Sequence, residues 1–153
     1  MNYFLDTNIV IDLFKKKEST IKKITEIANN NNDYLFINRL VYTESLRTIK
    51  LKDKNIFKKS KETLDSFEKL DITQEIYDKT INFSRFCVTK GVTLKGKCAI
   101  IDYLHFITAK YYNLEIISND NDFEKMEEKY KEYLEIVWKN KSNSIWYSLL
   151  TEL

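Results

Sequence analysis

Four carboxylates in this chain stand where an acid is hard to explain as surface decoration: Asp6, Glu44, Asp102 and Asp120. Asp6 ends the apolar run Tyr3-Phe4-Leu5 and leads at once into Thr7, Asn8 and a helical run beginning Ile9-Val10-Ile11. Capping of that helix would account for Asp6 or Thr7 singly. Glu44 falls on the apolar face of an expected helix over 39–52, among Leu40, Val41, Thr48 and Leu51. A buried carboxylate is costly unless paired or bound to a metal, and a surface pair with Arg47 fits that face poorly. Asp102 is the only acid of an expected helix over 99–112 that is apolar nearly all round. A favourable position at the helix start does not explain its projection beside Ala99, Phe106 and Ala109. Asp120 follows Glu115-Ile116-Ile117-Ser118, repeating the order strand, hydroxyl, acid, helix seen around Asp6. Asp122 reads as the cap of the helix that follows.

Carboxylates packed together repel one another and persist only with a cation or shared protons. An all-oxygen set without a usable histidine or thiolate suits a hard ion, Mg²⁺ or Mn²⁺. Such ions act on phosphates, lowering the pKa of a bound water and neutralising charge on the leaving oxygen. The expected chemistry is metal-assisted phosphodiester hydrolysis. Thr7, Asn8 and Ser118 would orient the carboxylates or the attacking water from behind. The lone histidine, His105, reads as a satisfied core residue.

These acids need elements to hold them. The expected order begins with a strand at 3–5, a short helix from Asn8 to Phe14 and a second helix with Ile21, Ile24, Ile27 and Ala28 at helical spacing. After a polar run at 29–33, Tyr34-Leu35-Phe36-Ile37 reads as a buried parallel strand, and Asn38 as the cap of the next helix. A helix over 54–69 should bury Ile56, Ser60, Leu64 and Phe67. Leu70-Asp71-Ile72 should be a third strand, and a helix over 74–89 should bury Ile76, Thr80, Phe83 and Cys87. Residues 54–89 would thus form a helical hairpin, whose exposed side is a candidate subunit contact. A fourth strand at 115–118, a helix at 123–130, a fifth strand at 134–138 and a terminal helix at 142–150 complete the reading. Ligands of open α/β sheets bind beyond the carboxyl ends of the strands. If the first and fourth strands are neighbours, all four acids reach one crevice.

A length of 153 residues with 43% hydrophobic and 31% charged residues reads as one soluble domain, 1–153. The net charge of +2 excludes a global polycation, so an anionic partner must meet a local patch. The stretch 47–61 offers one, with Arg47, Lys50, Lys54, Lys58 and Lys61 among its cations; Lys95 and Lys97 add to it before the buried helix. Such residues position a phosphate backbone without reading sequence. Two cysteines that form no ligand motif and a single histidine make a zinc site hard to assemble. Reduced thiols, the absence of a visible signal peptide and the lack of an apolar span point to the cytoplasm. With no proline and only Gly91 and Gly96, turns must rely on Asn, Asp, Ser and Lys.

The four acidic segments, Asp6-Thr7-Asn8, Asn38-Arg39-Leu40-Val41-Tyr42-Thr43-Glu44, Ile101-Asp102-Tyr103 and Ser118-Asn119-Asp120-Asn121-Asp122-Phe123, resemble those of PIN-domain ribonucleases. The size is similar to VapC-type toxins of toxin–antitoxin pairs. The resemblance runs from Tyr3 to about Trp138. It implies a three-layer α/β/α sandwich on a five-stranded, mostly parallel sheet. It also implies Mg²⁺- or Mn²⁺-dependent endoribonuclease activity that leaves a 5′-phosphate and a 3′-hydroxyl. Asp6, Glu44, Asp102 and Asp120 would form the acidic site, with Asp122 peripheral. A homodimer and a cognate antitoxin are further implications. One departure is that Tyr103 and His105, after Asp102, are bulkier than usual in the family.

Three other readings compete. A phosphatase of the haloacid-dehalogenase kind needs a second carboxylate two residues after Asp6, where this chain has Asn8. A receiver domain needs adjacent acids after the first strand and a phospho-accepting Asp ending the third; Asp71 lies inside its expected strand. A PIN-like module that binds RNA or protein without cutting retains every acid, and only a cleavage assay separates it.

Overall fold

The computed structural model describes residues 1–30, 33–94 and 99–151, with side chains to residue 139. Lys95 and Lys97 lie outside the described residues. The elements run β1 (Asn2–Leu5), α1 (Thr7–Phe14), α2 (Glu18–Ala28), β2 (Tyr34–Asn38), α3 (Arg39–Arg47), α4 (Lys54–Asp65), β3 (Glu68–Leu70), α5 (Gln74–Thr89), α6 (Ala99–Tyr111), β4 (Glu115–Ile117) and α7 (Asp122–Thr151).

The strands form one parallel sheet in the order β3-β2-β1-β4. Phe4 of β1 sits opposite Phe36 of β2 and Ile116 of β4. The chain moves from β1 to β2 to β3 in one direction, then returns to place β4 on the far side of β1. The strand order therefore reverses between β1 and β4, the position at which doubly wound sheets open a crevice.

Two apolar clusters flank this arrangement. The first joins Phe4, Leu5 and Ile37 of the sheet to Ile9, Val10, Ile24, Val41 and Leu64 of α1–α4. The second joins Ile76, Phe83 and Cys87 of α5 to Leu104, Phe106 and Ile107 of α6 and Phe123 and Met126 of α7. Phe83 is its centre, stacked on Phe106 at 5.4 Å and meeting Tyr130 edge-on at 5.3 Å. Such aromatic pairs add about 0.5–1.5 kcal/mol each beyond the area they bury.

Turns follow the expected chemistry in an unexpected detail. Helices α1, α5 and α6 end with a residue at positive φ: Lys16 (55°), Gly91 (70°) and Asn113 (55°). Each is followed by an N–H that reaches back five residues, Lys17 to Asp12, Val92 to Cys87 and Leu114 to Ala109. This Schellman arrangement normally uses glycine; the chain supplies Asn and even Lys. The Asn113 turn delivers the chain straight into β4.

Three expectations are corrected. The sheet has four strands, not five: Leu134-Glu135-Ile136-Val137-Trp138 lies within α7. A short apolar run fits either state. Here Phe123, Met126, Tyr130 and Tyr133 pack at helical spacing on the second cluster, and no breaker interrupts them. Leu134, Ile136 and Trp138 are instead exposed. Next, the two helices of 54–89 pack on different partners rather than on each other as a hairpin. Helix α4 packs on α3, while α5 packs on α6 and α7. Strand β3 starts two residues before its expected position and lies between them. Finally, α3 and α4 stop early, because Thr48 and Ser66 turn their hydroxyls onto the carbonyls of Ser45 and Thr63 and so close the last turns. In the first turn of α4 Ile56 is exposed, contrary to expectation, whereas Ser60 and Leu64 are buried as expected. No helix among the described residues is long and apolar enough to cross a membrane.

Candidate active site

Asp6 leaves β1 in extended conformation and caps α1: its Oδ1 accepts the Thr7 N–H at 2.8 Å. Its backbone N–H donates to the Ile117 carbonyl at the end of β4. Capping and site geometry therefore coexist in one side chain. The free oxygen, Oδ2, accepts from Ser118 Oγ at 2.9 Å. Ser118 in turn accepts from Asn8 Nδ2 and from the Asp120 N–H. Asn8 Oδ1 takes the Asn119 N–H, and Asn119 Nδ2 reaches Asp12. The ends of β1 and β4 are thus laced together, with Asn8 and Ser118 as the knots, while Thr7 joins Asp6 to Glu44.

Glu44 comes from α3. Its Oε2 accepts from Thr7 Oγ1 at 2.7 Å and lies 3.4 Å from His105 Nε2. The His105 hydrogen bond, the Thr7 hydroxyl and nearby Arg47 hold its pKa below the ordinary range, against the effect of burial. Asp102 comes from the first turn of α6 and is half-buried. Burial, then the charges of Asp6, Asp120 and Glu44, push its pKa from 3.8 up to about 6, with His105 opposing. Burial also raises Asp6. Asp102 therefore lies within electrostatic reach of the other three acids.

Asp120 differs in detail from expectation. Its Oδ1 accepts the N–H of Asp122, so Asp120, rather than Asp122, seats the start of α7. Asp122 is buried within the helix and paired with Lys125 at 2.7 Å. Arg47, Lys50 and Lys54 line a cavity of about 420 Å³ with Leu46, Ile49, Leu51 and Phe57, between α3 and α4. None of the four acids lines it. Lys58 is exposed on α4, and Lys61 pairs with Asp65.

The donor set fits a hard divalent cation by its chemistry: oxygen only, partly desolvated, and carrying mutual repulsion that a cation would relieve. Among the described residues no three such side chains are already gathered into a cage, so a cation would have to draw them closer. Two participants were not legible in advance. His105, read as a core residue, touches Glu44, and Asn38 touches His105. The only sequence signal was that His105 lies one helical turn after Asp102.

The model of the PIN domain family matches residues 3–129. The chain belongs to the PIN domain family. Its fold is also similar to the VapBC2 structure from Rickettsia felis bound to a DNA fragment from their promoter. There the TM-score is 0.67 at 21% identity, covering 82% of this chain and 93% of that one. A toxin–antitoxin complex from Klebsiella pneumoniae matches with a TM-score of 0.58 at 19% identity, covering 78% and 87%. A search of curated protein sequences returned no match. In this PIN domain α7 continues to Thr151, beyond the end of the family match.

Proposed function

We propose that this PIN domain is a divalent-metal-dependent endoribonuclease, the toxin of a toxin–antitoxin pair acting in the cytoplasm. One observation carries the reading: beside the β1–β4 reversal Asp102 is partly buried and also feels the charges of Asp6, Asp120 and Glu44, which together push it up to about 6. A protein keeps such repulsion where a cation is to be bound. Asp6, Glu44, Asp102 and Asp120 would hold Mg²⁺ or Mn²⁺. The ion, when bound, supplies charge neutralisation at the phosphate and a more acidic water.

The residues of the chain do the rest. Ser118 and the Thr7 N–H fix Asp6, and Thr7 Oγ1 fixes Glu44. Asn8 fixes Ser118, and Asp120 seats the start of α7 by accepting the Asp122 N–H. Water adds to phosphorus as the bond to the 3′ oxygen breaks. The proton ends on that oxygen, leaving a 3′-hydroxyl and a 5′-phosphate. Arg47, Lys50, Lys54, Lys58 and Lys61, with Lys95 and Lys97, would hold the RNA backbone. The fold likeness to toxin–antitoxin complexes supports an antitoxin partner. The exposed Tyr77, Ile81 and Val88 of α5 support a homodimer contact.

The test is cleavage of RNA with Mn²⁺ against EDTA, comparing wild type with Asp6→Asn. Loss in both controls is expected. Cleavage that survives both refutes the metal site, and RNA retention without cleavage favours a binding module.

A further inference from the structure

We propose that His105 is a positioning residue, holding Glu44 by one oxygen so that the other is left for the acidic crevice. The inference rests on the nuclease reading of that crevice. His105 is essentially inaccessible, at 1% exposure. Its ring is clamped on three sides. Phe4 lies against it with ring centres 5.6 Å apart, Asn38 Nδ2 is 3.1 Å from Nδ1, and Glu44 Oε2 is 3.4 Å from Nε2.

The direction of the hydrogen bonds follows from Asn38. This residue caps α3, where its Oδ1 accepts the Val41 N–H at 2.9 Å. Its amide nitrogen must then face His105. An amide nitrogen only donates, so Nδ1 of the ring must accept. The ring proton is left on Nε2, which therefore donates to Glu44. Thr7 Oγ1 donates to the same Oε2 at 2.7 Å. Both donors fall on one oxygen, and Oε1 has no partner among the described residues. The cap that starts α3 thus sets the tautomer that aims a glutamate on the same helix, six residues on.

Helix α6 consequently serves the site twice. Asp102 enters the crevice directly, and His105, one turn later, acts through Glu44. Ligand-orienting partners of this kind typically change metal affinity or activity by about 10- to 100-fold when removed.

The experiment compares wild type with His105→Leu and His105→Gln, each also in a Glu44→Ala background. Gln offers an oxygen to Asn38 and an N–H to Glu44; Leu offers neither. Readouts are kcat and KM for RNA with Mn²⁺, Mn²⁺ affinity by calorimetry, and the imidazole ¹⁵N–¹H spectrum. His105→Leu should lower kcat by about 10- to 100-fold, weaken Mn²⁺ and leave KM within about twofold. His105→Gln should recover kcat to within about threefold. In the Glu44→Ala background His105→Leu should cost nothing further, because a residue acting through Glu44 has nothing left to act on. The spectrum should show the proton on Nε2, with a shift that moves in Glu44→Gln.

A folded His105→Leu with wild-type kcat and Mn²⁺ affinity overturns the proposal and leaves the nuclease reading intact. An equal loss with and without Glu44 also overturns it. If His105→Leu does not fold, His105→Gln decides: near-wild-type kcat supports the proposal, and a loss above tenfold in a folded chain overturns it. Wild type without Mn²⁺-dependent cleavage overturns the nuclease reading instead. The position of the ring proton then decides the positioning contact: a proton on Nδ1 overturns it, and one on Nε2 that responds to Glu44→Gln supports it.

Discussion

Asp102→Asn should stabilise the metal-free protein at neutral pH. The Asp102 carboxyl titrates at about 6 in the folded chain against an ordinary 3.8. The folded state therefore binds this proton more tightly than the unfolded chain does. Ionisation opposes folding: the cost is fully present above the folded pKa near 6 and disappears below 3.8. The gap corresponds to about 3 kcal/mol at about 1.4 kcal/mol per tenfold change. Asp102 is only half-buried, so solvent screening reduces this to about 2 kcal/mol. Asn keeps the shape and removes the charge. In a chain of this size each kcal/mol moves Tm by about 2–4 °C. The variant should melt about 4–8 °C above wild type at pH 7.5 in EDTA, measured by circular dichroism. At pH 4 the gain should shrink to about 2 °C or less, since wild type then carries the proton as well. Acid loss common to both proteins cancels in the comparison. Added Mn²⁺ should favour wild type over the variant, because the ion stabilises the state that binds it better. An Asp102→Asn protein that melts at or below wild type in EDTA at pH 7.5 would refute the reasoning. So would a gain that persists undiminished at pH 4.

Three further outcomes are expected. Lys16→Gly should raise stability by about 1 kcal/mol in urea denaturation, because Lys16 holds φ at 55°, where a side chain is strained; a loss would show the strain is absent. Asn38→Ala should cost about 2–3 kcal/mol, combining a lost helix cap with a buried imidazole nitrogen left unpaired. The check is the shift of the urea midpoint at constant slope. Charge reversal at Lys50, Lys54, Lys58 and Lys61 should weaken RNA binding and flatten its dependence on salt, read by fluorescence anisotropy from about 50 to 200 mM salt; an unchanged slope would exclude phosphate contacts there.

Much of this PIN domain was readable along the chain. Tyr3-Phe4-Leu5, Tyr34-Leu35-Phe36-Ile37 and Glu115-Ile116-Ile117 announced strands, because buried parallel strands are continuous apolar runs. Ile76, Thr80, Phe83 and Cys87 announced the inner face of α5, because helical spacing is a local property. Each acid was conspicuous for a local reason too: it stood on an apolar face or at a strand end. The misreadings also share a cause. Leu134-Glu135-Ile136-Val137-Trp138 carries no local signal that separates strand from helix, so packing of Phe123, Met126, Tyr130 and Tyr133 decided it. The segment 54–89 was read as a hairpin because sequence neighbours were taken for spatial ones, whereas α5 found its partners in α6 and α7.

Residue types and their periodicity were enough to mark out the acids and most of the helices and strands, since both depend on neighbours within a turn or two of chain. What they left open depends on contacts between distant segments. That β4 returns beside β1, that Ser118 meets Asp6 across 112 positions, and that His105 lies against Glu44 are consequences of the strand order. Those partners meet because the sheet brings them together, and nothing local to either one encodes the meeting.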